Sequence, residues 1–389
     1  MTAVNPEPNI NEAFTWWSEL PAKWTSVGWK DSLFRFNVLY NGMISAVPCL
    51  NSRTTRWQSQ GVQLGVWPSA QPEFPGHVTC PQDQGMIVQG WEEGRVAPVL
   101  WSEWAHEGML LRSSVFAHSP GGTAVARGDE PLFLWMRFSI HQCLPALPLP
   151  PEYGFNLNLN TPYIKVGPMS IRYDLAVERE SRRYPRELSC TPETPSPETG
   201  LTLTEPDGRV RLAVLPGAYT RLDTVPDAND GMDWLVYFSM PTEEGRCVDA
   251  LLPIYPVEPE VFQQELSLGY EGALRETEHF WKDEPDTLAL IQTPETHINK
   301  AILHSMQFTR IIAERNPETG YYSLLTGGWC YAEMWATVSA MNSVMLLDGM
   351  GLHSDAVRYL RPFADTQGQP LPKGSSGRST RAASGPFPG

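Results

Sequence analysis

The apolar residues of this chain change their spacing once, near Pro256, and this change limits the folds that the chain can adopt. Across residues 24–255, short apolar runs of strand length alternate with turn signals. Across residues 258–281, the apolar residues recur instead at the spacing of an α-helix. Because strands and helices have different hydrophobic periods, the sequence predicts a β-rich N-terminal part followed by a helical part.

The β-rich part contains two clear hairpin signals. Residues 33–40 alternate between apolar and polar before the pair Asn41-Gly42, which favours a tight hairpin turn. Residues 201–204 and 209–214 flank a short turn sequence, which predicts a second hairpin. The apolar residues of 233–238 predict a buried inner strand. Short strands at regular intervals, with turns between them, predict an antiparallel β-sandwich.

The helical part is predicted to begin a larger helical assembly. A first helix should start at Thr293, which can cap it, and stop at Asn316. A second is predicted over residues 329–347, with Gly349 as its left-handed cap, and a third should start near Ser354. The second helix is apolar over most of its circumference. A helix of this kind needs neighbours on several sides.

Charge and cysteine usage exclude several classes of protein. The net charge of −15 argues against binding to nucleic acid or to an anionic membrane surface. No stretch is long and apolar enough to span a bilayer, and the N-terminus shows no secretory signal, so a cytoplasmic location is predicted. The six cysteines are scattered, without a CxxC pair or a Cys/His cluster. This pattern favours reduced thiols and predicts no metal site.

Aromatic residues are abundant, with 14 Trp and 13 Tyr, and they have two explanations. Flat sugar faces stack on aromatic rings in carbohydrate-active proteins, while carboxylates bind the hydroxyls. Large aromatic cores of a β-rich protein explain the same residues equally well. Residues 91–93 and 101–107 combine aromatic with acidic side chains. They predict a sugar-contacting surface, a contact with the helical part, or simply an edge strand and its turn.

The first helical loop and the helices around it carry a recognisable set of residues. These are Gly320-Tyr321-Tyr322, Thr326-Gly327-Gly328-Trp329-Cys330-Tyr331, Trp335, residues 345–351 and residues 356–368. Together with the order of the parts, they resemble the six-hairpin glycosidases, a superfamily that includes glucoamylases and glycogen-debranching-type enzymes. The resemblance implies hydrolysis or phosphorolysis of glycosidic bonds, an oligosaccharide or polysaccharide as the partner, and no organic cofactor.

The resemblance also implies a fold class and a domain division. The fold would be β plus α, with an N-terminal antiparallel β-sandwich followed by the first helices of an (α/α)6 barrel. The predicted division is a sandwich in residues 1–256, a connecting helix in residues 257–284, an incomplete (α/α)6 domain in residues 285–366 and a disordered tail in residues 367–389.

The length of the helical part sets an expectation about activity. Twelve helices need about 200 residues or more, and about half that number follows Thr293. The catalytic carboxylates of such a barrel are therefore expected beyond residue 389, which would make this chain a truncated and inactive form. Its unpaired helices are expected to favour self-association. The alternative is a non-catalytic carbohydrate-binding or interaction module.

The candidate sugar-binding residues lie in the loop that would form the mouth of such a barrel. They are Tyr321, Tyr322, Trp329, Tyr331, Glu333 and Trp335. The aromatic side chains are predicted to act as platforms for sugar rings, with packing in a core as the alternative for each of them.

Glu333 lies in the segment that corresponds to the Gly-Gly-Trp-x-Asp-x-x-Asp motif, where inverting cellulases of this superfamily place their base. In this chain Tyr331 and Met334 occupy the two Asp positions, and Glu333 is one residue out of register. One residue turns a helical side chain by about 100°. Glu333 is therefore predicted to bind sugar hydroxyls, or to be a first-turn acid favoured by the helix dipole, and not to be a catalytic base.

Overall fold

A computed structural model shows a fold of mixed β and α structure, as the sequence predicts. It describes residues 24–39, 42–46, 62–69, 87–144, 148–160, 187–226, 232–325 and 336–367. Two large antiparallel sheets come first along the chain, and the helices follow. The predicted tail, residues 368–389 in particular, lies outside the described residues. The domain boundaries at residues 256, 284 and 366 stay a prediction.

The first sheet has seven strands in the order β1-β2-β3-β4-β9-β14-β13. Their bounds are β1 Trp24–Gly28, β2 Arg35–Leu39, β3 Ile44–Ala46, β4 Val62–Ser69, β9 Glu152–Asn160, β13 Tyr219–Pro226 and β14 Met232–Pro241. The hairpin predicted from residues 33–40 and the turn pair after them is confirmed, because β2 and β3 pair antiparallel. Gly42 in its turn has a φ of 77°, where glycine avoids the strain of a side chain. Strand β14 is an inner strand, as its apolar sequence predicts.

The second sheet has eight strands in the order β10-β11-β12-β15-β8-β7-β6-β5. Their bounds are β5 Ile87–Trp91, β6 Leu100–His106, β7 Met109–His118, β8 Phe133–Cys143, β10 Ser189–Ser196, β11 Gly200–Thr204, β12 Val210–Val214 and β15 Cys247–Pro253. The second predicted hairpin is confirmed as β11 and β12. Leu201 lies opposite Val214 and Leu203 opposite Leu212, so their apolar side chains share one face of the sheet.

The two sheets pack face to face through aromatic rings. Phe138 of β8 in the second sheet lies between Phe155 and Phe238 of the first, at ring-centroid distances of 5.1 and 5.2 Å. All three rings are fully buried. These contacts between facing sheets confirm the predicted β-sandwich.

The helix predicted over residues 258–281 is confirmed as α1, Pro259–Lys282. It covers the other face of the second sheet, where Tyr270 packs edge-on against Phe116 at 5.0 Å and Phe262 lies 6.2 Å from Phe133. Gly269 interrupts the helix with a φ of 64°, so α1 consists of two helical segments with a bend between them. The described chain thus has three layers up to residue 282.

The remaining elements build a second, smaller core. They are α2 Thr296–Ile311, β16 Ala313–Arg315, β17 Tyr322–Leu324, α3 Ala336–Ala340 with its π-helical continuation Met341–Asp348, and α4 His353–Thr366. The buried residues of this core are Met306, Ile312, Ala313, Leu324, Leu347, Met350, Leu352, Ala356 and Tyr359. Met341, Val344 and Met345 of the π-helical stretch are 52%, 48% and 74% exposed. Self-association of the chain stays a prediction.

Three predictions about the ends of these elements are wrong. The N-cap of α2 is Glu295, and the hydroxyl of Thr293 lies near the Glu295 carbonyl and the Asn299 side chain, so it does not cap a backbone amide of the first turn. The helix α2 ends at Ile311, so that β16 occupies the end of the helix predicted up to Asn316, and β17 lies in the loop that was predicted to follow it. Gly349 has an ordinary helical φ of −60°, and the left-handed residue is Gly351, with a φ of 85°. The last helical turns before Gly351 are π-helical.

The termination at Gly351 follows a known pattern. The amide of Leu352 donates to the Leu347 carbonyl, and the amide of Gly351 donates to the Asp348 carbonyl. These two bonds form a Schellman motif around a left-handed glycine, which satisfies carbonyls that the helix leaves free. The motif also turns the chain directly into α4.

None of the helices in the described residues combines the length and the hydrophobicity that a membrane-spanning helix needs. In the same part of the chain, no three His, Cys, Asp or Glu side chains are grouped closely enough to hold a metal ion.

Candidate functional site

A cavity of about 400 Å³ lies where the sandwich, the end of α1 and the helical elements meet. This volume is within the usual range of small-molecule sites, about 300 to 1,000 Å³. The lining side chains include Lys30, Asp31, Phe280, Asp283, Glu284, Thr287, Arg310, Ser354, Asp355 and Arg358. They come from the turn after β1, the end of α1 and the chain beyond it, α2, and the first turns of α4.

Six of these charged side chains form a continuous series of ion pairs, which we call the charge ring. Lys30 Nζ lies 3.2 Å from Glu284 Oε1, and Arg310 Nη1 lies 2.7 Å from Glu284 Oε2. Arg310 Nη1 is also 4.0 Å from Asp355 Oδ2. The first half of the ring thus joins the sandwich, the segment after α1, α2 and α4.

The second half of the charge ring returns to the sandwich. Arg358 Nη2 donates to Asp355 Oδ1 at 2.7 Å and lies 2.9 Å from Asp31 Oδ2. The ring therefore starts and ends at neighbouring residues, Lys30 and Asp31. Cations and anions alternate along it, so that its three positive and three negative charges balance.

Asp31 holds the helical elements with its backbone as well as its side chain. Its amide donates to the Arg310 carbonyl at 3.1 Å, and its carbonyl accepts from the Arg315 amide at 2.9 Å. The hydroxyl of Tyr359 donates to Asp31 Oδ1 at 2.6 Å. Asp31 also has a φ of 63°, which is uncommon for a residue other than glycine. Such strain persists only where surrounding contacts fix the backbone, as they do here.

Burial shifts the pKa values of the ring, and the neighbouring charges either oppose or reinforce that shift. Burial raises the pKa of Asp31, although the positive charge of Arg358 opposes the shift. Burial also lowers the pKa of Lys30, and the nearby charge of Arg310 adds to that effect. For Glu284, burial alone would raise the pKa, but the hydrogen bond and the charge of Arg310, together with Lys30, lower it overall. Glu284 is thus the carboxylate whose ionised form the ring stabilises most clearly.

Two of the six predicted sugar-binding residues can be placed. Tyr322 lies in β17, and its ring centroid is 4.7 Å from the guanidinium carbon of Arg358 and 5.4 Å from that of Arg315. These are cation–π distances, and Arg358 links Tyr322 to the cavity. Tyr321 is 38% exposed, and its hydroxyl donates to Asp365 Oδ2 at 3.4 Å.

The other four candidates, Trp329, Tyr331, Glu333 and Trp335, lie outside the described residues. The role of all six residues in sugar binding stays a prediction.

The charge ring was missed by sequence reasoning because its members come from distant parts of the chain. Lys30 and Asp31 are separated from Arg358 by more than 300 positions, and no spacing rule connects them. One signal was present, since Arg310 follows the apolar residues of a predicted helix. In the structure Arg310 is almost fully buried. A buried arginine requires a carboxylate partner, and that requirement predicts a buried ion pair without identifying the partner.

Of the alternatives for residues 91–93, the structure favours the contact with the helical part. Trp91 stacks on His304 of α2 at a centroid distance of 4.2 Å, and Lys300 Nζ lies 2.7 Å from Glu93 Oε1. Gln307, one turn further along α2, donates to the carbonyl of Val96. Trp91 also ends β5, an edge strand of the second sheet, so the edge-strand reading holds too.

His304 makes this contact sensitive to pH. Burial lowers its pKa from 6.5 to about 4. Because the folded pKa lies below the unfolded one, His304 stabilises the fold above pH 6.5, and that contribution is lost as the pH falls towards 4. We expect a loss of about 2 kcal/mol after allowing for partial exposure.

The variants H304Q and H297Q test this expectation by urea unfolding at several pH values. H304Q should show a smaller drop in the free energy of unfolding between neutral and acidic pH than the unmodified protein. His297 is exposed on the same helix, so H297Q should keep the original pH dependence. Equal pH dependence in H304Q and the unmodified protein would contradict the prediction.

Comparisons with known proteins give a distant structural similarity. No protein-family model matches the sequence, and no curated protein matches it. Among solved structures, the chain is similar to a bacterial glucoamylase that was crystallised with acarbose, at 11% sequence identity and a TM-score of 0.48. The similarity covers 89% of this chain and 50% of that one, so the chain spans about half the length of the glucoamylase. A similarity this distant carries no argument about activity, and the resemblance to six-hairpin glycosidases stays an interpretation.

Proposed function

We propose that this chain binds a sugar unit of an oligosaccharide in the cavity beside the charge ring. One observation carries the proposal: the cavity combines many hydrogen-bonding side chains with nearly balanced charge. A sugar hydroxyl both donates and accepts hydrogen bonds, so it can bind next to carboxylates, ammonium groups and hydroxyls alike. Phe280 also lines the cavity, where its ring stacks on Trp29 at a centroid distance of 4.0 Å and lies under Lys30 Nζ at 5.0 Å.

The charges of the cavity favour a ligand without a phosphate group. A phosphate site normally offers cations that are free to pair with it. Here Lys30 and Arg310 both contact Glu284, and Arg358 contacts Asp31 and Asp355. A phosphate would have to displace these carboxylates. A polyhydroxylated ligand binds without breaking the ring.

Binding is better supported than bond cleavage at this cavity. Glycoside hydrolysis needs two carboxyl groups, one to donate a proton and one to act as base or nucleophile. Three of the four carboxylates that line the cavity, Asp31, Glu284 and Asp355, are held in ion pairs of the charge ring. We therefore propose a carbohydrate-binding role for the described residues. Hydrolysis of glycosidic bonds, which the resemblance implies, would depend on carboxylates outside this cavity.

A substitution that fills the cavity tests the proposal without breaking the ring. Ser354 lies in the first turn of α4, is exposed and lines the cavity. The variant S354W should block the cavity and weaken sugar binding at least about tenfold, measured by calorimetry against a panel of oligosaccharides. Val357 lies on the same helix, is 63% exposed and does not line the cavity. The control V357W should bind as the unmodified protein does.

The experiment also shows whether the sugar binds in the cavity or at the aromatic loop. If S354W binds normally while Y321A loses binding, the sugar site is in the loop of the six predicted residues. If the unmodified protein binds no oligosaccharide of the panel, the proposed function is wrong.

A further inference from the structure

We infer that the cavity selects sugars that carry a protonated amino group over neutral sugars, and neutral sugars over acidic ones. The inference rests on the proposed function and adds the class of sugar. It follows from the one charge in the cavity wall that the charge ring does not balance.

The cations of the cavity are all engaged by carboxylates. Lys30 and Arg310 approach Glu284 within 3.2 and 2.7 Å, and Arg358 approaches Asp31 within 2.9 Å. An acidic sugar would therefore meet cations that already have partners, together with carboxylates that repel it. Uronic acids and sugar phosphates are disfavoured for this reason.

Asp283 is the unbalanced charge. It follows the last residue of α1, is exposed and lines the cavity. Among the described residues its carboxylate has no ion pair and no hydrogen bond. Asp283 therefore gives the lining side chains one negative charge in excess. An ammonium group on the ligand would pair with this carboxylate without competing against the ring.

His353, a further titratable group in the cavity wall, does not change this balance. His353 starts α4 and lines the cavity, and its Nδ1 lies 2.5 Å from Asp348 Oδ1. A proton on His353 would therefore be balanced by Asp348. The charge of Asp283 is therefore available to the ligand.

Three monosaccharides that differ in one substituent test the inference: the methyl glycosides of glucose, glucosamine and glucuronic acid. Binding is measured by ligand-detected NMR at about pH 6, where an amine with a pKa of about 8 is protonated. In the unmodified protein we expect glucosamine to bind two- to five-fold more tightly than glucose, as for an exposed ion pair, and glucuronic acid to bind more weakly than glucose.

The variant D283N should remove the preference for glucosamine, so that glucosamine and glucose bind about equally. D286N is the matched control, because Asp286 is exposed in the same segment but does not line the cavity. It should keep the preference. Equal binding of glucosamine and glucose by the unmodified protein, or a preference that survives in D283N, overturns the inference while the proposed function stands. Absence of binding for all three sugars and for oligosaccharides overturns the proposed function itself.

Discussion

The variant E284Q should lower the free energy of unfolding by about 2 to 4 kcal/mol, because it leaves two cations of the charge ring without their shared partner. Arg310 is almost fully buried, and both it and Lys30 contact Glu284. Glutamine has nearly the same size as glutamate, so the change removes charge and leaves the packing intact. Urea unfolding followed by tryptophan fluorescence measures the loss.

The neighbouring carboxylate supplies the control for E284Q. Asp283 is exposed and makes no ion pair within the described residues, so D283N should change the free energy of unfolding by less than about 0.5 kcal/mol. Equal effects of E284Q and D283N would show that the charge ring contributes nothing to stability.

The pH dependence provides a second readout for Glu284. Its folded pKa is lowered, so its contribution to stability is present above the unfolded pKa of about 4.3 and is lost as the pH falls through the folded value. E284Q should therefore be less sensitive to acid than the unmodified protein in that window. If acid destabilises both proteins equally, the ion pairs of Glu284 do not stabilise its charged form.

A second large effect is expected for Glu265, which α1 buries against the sandwich. Glu265 Oε1 accepts hydrogen bonds from Trp135 Nε1 at 2.7 Å and from His118 Nδ1 at 2.8 Å. The variant E265Q should lower the free energy of unfolding by about 3 to 4 kcal/mol. It removes the negative charge from the oxygen that two buried donors share, and it places an amide nitrogen where Glu265 Oε2 has no hydrogen-bond partner among the described residues.

Glu260 provides the matched control on the same helix, since it lies in the first turn of α1 and is exposed. E260Q should lower the free energy of unfolding by less than about 0.5 kcal/mol. Urea unfolding of both variants and of the unmodified protein measures the two losses. A loss below about 1 kcal/mol in E265Q would mean that the fold does not depend on this buried acceptor.

The sequence predicts the sandwich well because its determinants are local. Residues 33–40 and 201–214 carry alternating apolar side chains and turn residues, which specify hairpins without any knowledge of the rest of the chain. The same holds for α1, whose apolar residues repeat at the helical period. The bend at Gly269 was not predicted, because a glycine inside a helical pattern is often tolerated without a break.

Errors at the helix ends have a physical cause. Thr293 is a good cap by residue type, but its hydroxyl bonds locally to the Glu295 carbonyl, a competition that composition does not reveal. Gly349 and Gly351 are equally suitable as left-handed caps. The left-handed residue is Gly351, after the π-helical stretch Met341–Asp348, and sequence periodicity does not predict such winding.

The candidate site shows the limit of sequence reasoning more sharply. Tyr322 was identified by its sequence, and the structure places its ring against Arg358 of the charge ring. Lys30, Glu284 and Asp355 carried no signal, since each is an ordinary polar residue in its local sequence. Their roles arise from the way that distant segments meet. Such roles become visible only in three dimensions.

The position of the cavity connects ligand binding with the assembly of the chain. The side chains that would contact a ligand, such as Lys30 from the sandwich and Arg358 from α4, belong to segments that meet only when the helical elements are docked. By thermodynamic linkage, a molecule that binds only the docked arrangement stabilises it by RT ln(1 + [L]/Kd), so the effect grows with the concentration of the molecule. A small solute would thus stabilise the contact between two parts of one polypeptide, and its concentration would set the stability of that contact.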